Sequence, residues 1–571
     1  MVSRLRLLSI IFLFCFGAVI TRLFYWQFFR SDDLRAAALA QYQHTSAVPY
    51  TRGKIFTEDG YPLVLNQTVY TLFAEPNHLS QPASQIAALL FPFVLSSQTS
   101  TQSSSIQVQS SLVSRLSDTS RNWVALGHTI SEQSKQQIQQ MNIGGIGFDP
   151  EEIRFYPEGS MAAHLLGFVG NDANGEPTGY FGVEGKYNME LKGKDGEISQ
   201  ETDALGKPIA IGDFQEFQGL VARDLYLTIH RDVQHVLEQK IAEGVQKYGA
   251  MSGDVVVMEP QTGKIIGLAS FPSYDPSHFW TADPSLYKDP IVADGYEPGS
   301  TFKVLTVAAG IDSGVITPDT PCDDCGAPKT VGKYTIRTWN DQYFKNISMN
   351  DALAKSDNTA MMFVADKVGK DRFIHYIHEF GIGEKTGIDL QDETTPPLRA
   401  DNAWGDIDIA TASFGQGIAV TEIQILNAVS AIANGGILMK PYVVSKVVAG
   451  DQTFVTQPQQ IRHVVNQQTA SEVAQMMVYS ATHGDAKWAL PKGYSIAGKT
   501  GTAQIPVGGH YDPNRTIASF IGFAPADNPK FVMLVRLTDP QTSEWGSETA
   551  APIWFDIAKE LFLKMGIPPT Q

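Results

Sequence analysis

Cysteine is scarce, at three in 571 residues, and Cys15 sits in an apolar N-terminal stretch, so only Cys322 and Cys325 remain elsewhere. They form Pro321-Cys-Asp-Asp-Cys-Gly326. No second Cys pair or His-x-His cluster supplies the other ligands that a metal half-site needs, and no thioredoxin-like pattern surrounds the pair. A local disulfide is the plain reading in an oxidising compartment, with a metal half-site and a redox pair as the alternatives. Positive charge is also short: 43 Lys and Arg against 60 Asp and Glu leave a net charge of −17. The acidic residues are spread rather than blocked, which excludes a phosphate-binding surface and nucleic acid as a partner. Internal repeats are missing, which excludes a solenoid.

One long apolar run is present. Arg4 and Arg6 precede a stretch from Leu7 to Ile20 that resumes as Leu23-Phe-Tyr-Trp-Gln-Phe-Phe29 after Thr21 and Arg22. It is nearly long enough to span about 30 Å of hydrocarbon, and its aromatic end falls where an interface belt would lie. Arg22 can snorkel to the far headgroups. Asp32 and Asp33 follow. The positive-inside bias therefore predicts a single pass with a cytoplasmic N-terminus and the remainder outside. A secretory signal cleaved near Ala36-Ala-Ala38 is the competing reading.

The remaining chain, 43% hydrophobic overall, is long enough for more than one core. From about 40 to 225 it mixes short strand and turn signals. These include Arg52-Gly-Lys-Ile-Phe-Thr-Glu-Asp-Gly-Tyr-Pro-Leu63, with Asp59-Gly60 a hairpin turn, Arg154-Phe-Tyr-Pro157, His164-Leu-Leu-Gly167 and Gly182-Val-Glu-Gly-Lys-Tyr187. Ser96 to Ser105 reads as a flexible surface loop. Near Asp224 the texture changes. A helical pattern from Asp232 to Tyr248 precedes a hairpin, Asp254–Glu259 and Lys264–Ser270 around Pro260-Gln-Thr-Gly263. Helical patterns fill Asn350 to Ser480, strands follow at 495–503, 517–523 and 531–537, and an amphipathic helix closes the chain from about Ala550 to Met565. Strands from both ends of this segment with helices between them predict one antiparallel sheet covered by helices.

Three short motifs carry the chemistry. In Tyr296-Glu-Pro-Gly-Ser-Thr-Phe-Lys303 a helix from Ser300 to Ala309 places Ser300 and Lys303 one turn apart on one face. Neutral Lys303, favoured by burial and a second cation, can take the Ser300 proton, and the helix N-terminus adds positive potential at the attacking oxygen. Ser356-Asp-Asn358 offers a hydroxyl to relay a proton to a leaving group and an amide to hold a substrate carbonyl. Taken alone, it reads as a helix cap. Lys499-Thr-Gly-Thr502 lies on a strand, where Lys499 is the second cation. Gly498 and Gly501 keep side chains off the edge, Thr500 and Thr502 can bond a carboxylate, and a peptide can add beside them. The backbone N–H groups of Ser300 and Thr502 are the candidate oxyanion hole.

Gly493-Tyr-Ser-Ile-Ala-Gly-Lys-Thr500 also matches the phosphate-loop spacing. Such a loop opens a helix, whereas a strand is expected here, so the nucleotide reading fails. His375 and His378 sit at helical spacing without further ligand residues, which makes a plain amphipathic helix the better reading.

Ser300, Lys303, Ser356, Asn358 and Lys499, with Thr500, Gly501 and Thr502 in this order, resemble the active site of a class B penicillin-binding protein. The resemblance extends to the N-terminal anchor, the Arg52-Gly53 phrase and the Gly182 to Tyr187 phrase. It implies an α+β chain with a cytoplasmic tip and transmembrane anchor at 1–29, an elongated mixed pedestal of dimerisation type at 30–225, and a transpeptidase domain at 226–571. That last domain is an antiparallel sheet flanked by helices, similar to serine β-lactamases. It further implies attack of Ser300 on D-alanyl-D-alanine of a peptidoglycan stem peptide, release of D-alanine, and transfer of the acyl group to an amine of a neighbouring stem. β-Lactams would acylate the same serine, and neither metal nor organic cofactor is needed. A membrane glycan polymerase and division or elongation complex proteins are the implied partners.

Tyr296-Glu-Pro-Gly-Ser300 and Asn358 resemble division-type members more than elongation-type ones. No room remains for a glycosyltransferase domain, and no PASTA modules follow. Competing readings with the same fold are a β-lactamase, a D,D-carboxypeptidase, a penicillin sensor and a catalytically idle scaffold.

Overall fold

The computed structural model describes residues 2–48, 51–97, 105–193, 196–201, 214–217, 219, 222–508 and 510–569. They fall into two compact units, Met1–Arg52 with Lys192–Ala222, and Gly53–Leu191 with Arg223–Gln571.

In the first unit a helix, Val2–Phe24, runs into a π-helical turn, Tyr25–Phe29. The span Ser3–Phe29, with a mean hydropathy of 2.3, is long and apolar enough to cross a membrane. The Arg22 guanidinium lies 5.4 Å from the Trp26 ring centroid, so the charge that interrupts the apolar run rests on the aromatic cluster at its end. A helix, Ser31–Tyr42, and a three-stranded sheet of Gln43–Val48, Gly196–Glu201 and Phe214–Phe217 complete this unit.

The second unit carries two large sheets. Gly60, at φ +85°, turns the chain between Ile55–Phe56 and Pro62–Ala74, as Asp59-Gly60 predicts. The long strand Pro62–Ala74 also pairs with Val124–Ile130 and Ile146–Phe155. Strand Asp224–Leu227 runs parallel to Ile55–Phe56 and antiparallel to Val444–Ala449, so segments far apart in sequence share one seven-stranded sheet. The helices Ala83–Ser97 and Ser105–Leu116 approach the polar patch from both sides, and 98–104, expected as a flexible loop, lies outside the described residues.

The second sheet is built from β1 (Ser252–Met258), β2 (Ile265–Phe271), β3 (Ala497–Val507), β4 (His510–Ala524) and β5 (Phe531–Thr538). All neighbours are antiparallel in the order β2-β1-β5-β4-β3, which leaves β3 at an edge. Both faces are buried, which is why β1 and β5 read as continuous apolar runs rather than alternating ones. Val255, Val257, Met533 and Val535 meet α1 (Arg231–Tyr248) and α5 (Ala550–Lys564), with Trp554 fully buried and its indole N–H donating to Met533 O at 2.8 Å. Val256, Val532 and Leu534 face the opposite core, which holds α2 (Lys303–Asp312), α3 (Asn358–Val368) and α4 (Glu422–Ala433).

Two expectations need correction. The helical stretch from Asn350 to Ser480 is broken by strands Val444–Ala449 and Gln452–Val455, where the β-branched run Val443-Val444…Val447-Val448 joins the seven-stranded sheet, and by Ile437–Met439 and Gln460–His463, which pair with each other. The helix expected from Ser300 begins as an α-helix only at Lys303, since Gly299 takes φ +54° and a 3₁₀ turn, Gly299–Thr301, comes first. Other readings hold. Cys322 and Cys325 form a disulfide. His378 Nε2 lies 3.0 Å from Asp401 Oδ1 on the plain helix Lys370–Glu379.

Trp554→Ala removes the largest side chain buried between α5 and the sheet. It should lower stability by about 3–5 kcal/mol. The check is the denaturant midpoint of the soluble portion, set against Lys559→Ala on the exposed side of the same helix.

Candidate active site

The sequence folds its three motifs onto different supports. The left-handed Gly299 and the 3₁₀ turn set Ser300 three residues before Lys303, the spacing at which a 3₁₀ turn stacks side chains above one another. Ser300 is half-buried and Lys303 fully buried. Ser356 is a non-glycine residue at φ +56°, joining helix Met349–Ala354 to α3. Such a strained conformation persists where the surroundings over-determine it. Asp357 caps α3 by accepting from Ala360 N at 3.1 Å, so the cap reading of this motif also holds. Lys499, Thr500, Gly501 and Thr502 lie on the edge strand β3, not in a phosphate loop.

These supports bring the polar groups together. Lys303 Nζ donates to Ser356 O at 2.5 Å and Asn358 Oδ1 at 2.8 Å, and lies 3.2 Å from Ser356 Oγ. Lys499 Nζ reaches the same hydroxyl from the other side at 3.1 Å and also donates to Thr500 O at 3.1 Å. Asn358 Nδ2 donates to Arg337 O at 2.8 Å, leaving one amide proton for a substrate carbonyl. Thr500 Oγ1 lies 3.3 Å from Lys499 Nζ, while Thr502 Oγ1 accepts from Gly546 N at 3.1 Å.

The glycines of β3 act differently from the sequence expectation. A Cβ on Gly498 would meet the Phe520 ring at 2.4 Å, and one on Gly501 would meet Ser519 Oγ at 2.3 Å and Thr301 Cγ2 at 2.8 Å. They admit protein neighbours rather than clear the edge for a peptide. A Cβ on Gly299 would lie 2.8 Å from Thr502 O, so the Ser300 turn and β3 touch through their backbones.

Both ammonium groups are almost completely buried. Burial first, and repulsion from Lys499 second, hold Lys303 well below the usual lysine value, with Asp357 opposing. Burial lowers Lys499 to about 8, with Asp485 opposing. Only Lys303 carries the added repulsion from its neighbour, and both amino groups lie against Ser356 Oγ.

Several contributors went unread in the sequence. Gly415 O accepts from Gly299 N at 3.0 Å, and a Cβ on Gly415 would lie 2.1 Å from Gly299 O, so Gly415-Gln-Gly417 backs the Ser300 turn. The close Gly-x-Gly spacing was the available signal. Glu297 accepts from Gly417 N at 3.1 Å and from Tyr511 OH at 3.0 Å. The Trp339 and Trp545 rings, 4.8 Å apart, link the loop whose Arg337 O holds Asn358 to the loop whose Gly546 holds Thr502. Nothing local in the sequence pairs those tryptophans.

The family model described as "Penicillin binding protein transpeptidase domain" matches residues 253–561, and "Penicillin-binding Protein dimerisation domain" matches 47–227. The chain is 32% identical to "Stage V sporulation protein D" of Bacillus subtilis, over 98% of this chain and 86% of that protein. It is 28% identical to "Peptidoglycan D,D-transpeptidase FtsI" of Buchnera aphidicola, over 99% of this chain and 96% of the relative. A peptidoglycan synthetase structure from Bifidobacterium adolescentis superposes with a TM-score of 0.72 at 27% identity, covering 93% of this chain and 98% of that one. Penicillin Binding Protein 2X from Streptococcus thermophilus shares the fold at a TM-score of 0.75 and 23% identity, covering 92% and 81%. The chain belongs to the penicillin-binding protein transpeptidases. It is a serine-type D-Ala-D-Ala transpeptidase of cell-wall synthesis, with a dimerisation-type pedestal domain.

The site predicts opposite effects on stability and rate at Lys499. Its folded pKa of about 8 lies below the usual lysine value, so at pH 7 the native state carries a buried charge at a cost. Lys499→Met should raise the melting midpoint at pH 7 while slowing acylation by penicillin about 100-fold or more. In the wild type that acylation rate should fall as pH rises through about 8, where Lys499 loses its proton. Lys499→Arg, permanently charged, should abolish this alkaline limb; a limb unchanged in the Arg variant would contradict the assignment.

Proposed function

We propose that Ser300 is the acyl-forming nucleophile and that the groups around it divide the work as follows. Neutral Lys303 takes the Ser300 Oγ proton as that oxygen attacks the carbonyl of the penultimate D-alanine. The N–H groups of Ser300 and Thr502 receive the oxyanion, and the contact of Gly299 with Thr502 O supports this pairing. Ser356 passes a proton to the departing D-alanine nitrogen and recovers one from the lysine pair, to which its hydroxyl is joined on both sides. Thr500 and Thr502 face the terminal carboxylate beside the Lys499 charge, and the free amide proton of Asn358 receives a backbone carbonyl. The donor peptide lies along the β3 edge. An acceptor amine then attacks the ester, the same groups run in reverse, and a cross-link forms with Ser300 restored.

The observation that carries this reading is the bridging of one hydroxyl, Ser356 Oγ, by two buried lysines from separate motifs, immediately beside the Ser300 turn. β-Lactams enter as mimics of the same dipeptide. The apolar N-terminal helix, with Arg4 and Arg6 at its start and Asp32 and Asp33 after it, supports a single-pass anchor in the cytoplasmic membrane with the catalytic unit outside. The FtsI relative fits a division-type role, to which we add a membrane glycan polymerase as the proposed partner.

Fluorescent penicillin should label the wild type, and Ser300→Ala should lose the label completely. The wild-type label should persist for many minutes after free drug is removed. Label on the Ala variant would refute the nucleophile, rapid loss of wild-type label would indicate a β-lactamase, and no wild-type label would favour a scaffold.

A further inference from the structure

Arg536 is a charged residue in an apolar row. On β5 it follows Val532 and Leu534 on the inner face of the sheet, and it is 5% exposed. Its Nη2 donates to Asp254 Oδ2 at 2.7 Å, and its Nε lies 3.1 Å from the same oxygen. Nε is also 2.8 Å from Glu422 Oε1, an ion pair without hydrogen-bond alignment. The guanidinium covers the Tyr296 ring at 5.0 Å from its centroid. Asp254 is 1% and Glu422 0% exposed. Asp254 Oδ1, Glu422 Oε2, Asp289 Oδ2 and the Tyr296 hydroxyl are buried without a hydrogen-bond partner among the described residues. A buried ionic group of this kind contributes little net stability compared with apolar side chains of similar volume. Its retention calls for another role.

The elements it joins supply one. Across the sheet Gly501 pairs with Ser519, Ser519 with Arg536, and Arg536 with Asp254, so the row begins on the strand that carries Thr502. Tyr296 stands four residues before Ser300, and its backbone exchanges hydrogen bonds of 2.9 Å in both directions with Val420. Glu422 opens α4 two residues after Val420. Arg536 therefore links the frame of β3 to both strands of the bridge that leads into the Ser300 turn. Burial, opposed by Arg536 and reinforced by neighbouring carboxylates, holds Glu422 well above its ordinary value, and burial also raises Asp289 to about 7.

We infer that Arg536, with Asp254, Glu422 and Tyr296, is a positioning device for acylation, holding the Ser300 turn at a fixed distance from β3 so that the two oxyanion N–H donors stay in register. Resting on the assignment of Ser300 and Thr502 above, it adds residues outside the three motifs to the machinery. Arg536 touches no substrate. It acts through the backbone, and displacements of about 1 Å at such donors are enough to cost large factors in rate.

The test uses the full-length chain in detergent and a penicillin whose non-covalent binding and acylation steps are resolved, alongside a boronic acid that forms a tetrahedral adduct on the active serine. Arg536→Met should slow acylation by about tenfold or more, with the initial binding constant nearly unchanged, and weaken the boronic acid by a similar factor. The triple variant R536M/D254L/E422L should melt at or above the wild-type temperature yet acylate as slowly as Arg536→Met. A Tyr296 pair decides the matter should the charge variants fail to fold: Tyr296→Phe, which keeps the ring, should retain acylation, and Tyr296→Leu should lose it to a similar extent. A folded triple variant, or Tyr296→Leu, acylating at the wild-type rate overturns the inference. Ser300→Ala runs beside them: if it still acylates, the nucleophile assignment has failed, and if it is inert while the Arg536 and Tyr296 variants are normal, only the positioning device has.

Discussion

Two lysines share one serine hydroxyl, and the rest of this molecule is organised around keeping them there. Lys303 and Lys499 arrive from a helix and from a sheet edge, both stripped of water, and each lies about 3 Å from Ser356 Oγ. Two ammonium groups in such a space repel, and burial penalises each charge separately. The arrangement is tolerable only if one of them gives up its proton, and the Ser356 and Asn358 acceptors hold the resulting amine in place. Desolvation and mutual repulsion both favour a single charge on this pair, the protonation state that a lysine acting as a base would need.

Holding that pair requires rigid supports on both sides. The sheet fixes Lys499, since β3 is registered residue by residue against β4 and the sheet is buried on both faces. The helical side fixes Lys303, because α2 enters the core behind a turn clamped by Gly415 and bridged to Val420. The glycines at 299, 415, 498 and 501 share one physical reason: backbone or ring atoms occupy the volume where a side chain would begin. Close backbone approach, rather than flexibility, is their contribution to the site.

The seven-stranded sheet adds a structural observation about the second unit. Strand Asp224–Leu227 lies between Ile55–Phe56 and Val444–Ala449, so segments on either side of the catalytic sequence meet in one hydrogen-bonded ladder. Tyr187 OH donates to Asp389 Oδ2 at 2.7 Å, and Asp389 accepts from Val443 N and Val444 N, which joins the Gly182 to Tyr187 phrase to this ladder. The sequence reads that phrase as a strand and turn signal, whereas Gly182–Lys186 folds as a short helix. Its partner, an isolated aspartate some two hundred residues away, carries no local signal.

The motifs, the apolar N-terminal helix, the hairpin at Pro260 to Gly263, the helix read from Asp232 to Tyr248 and the closing helix were all legible along the chain, because spacing, periodicity and turn chemistry are local properties. The sequence also placed Ser300 and Lys303 one turn apart, although it began their helix three residues early, since the left-handed Gly299 is imposed by the Thr502 and Gly415 backbones. Which groups meet was not legible there: Lys499 at Ser356, Asn358 at Arg337, Trp339 at Trp545, and Arg536 against Tyr296. An arginine in an apolar strand and a tyrosine before a turn carry no sign of each other along the chain. Their encounter depends on strand order and register, and these follow from burying two faces of one sheet at once, a constraint that belongs to the folded molecule as a whole.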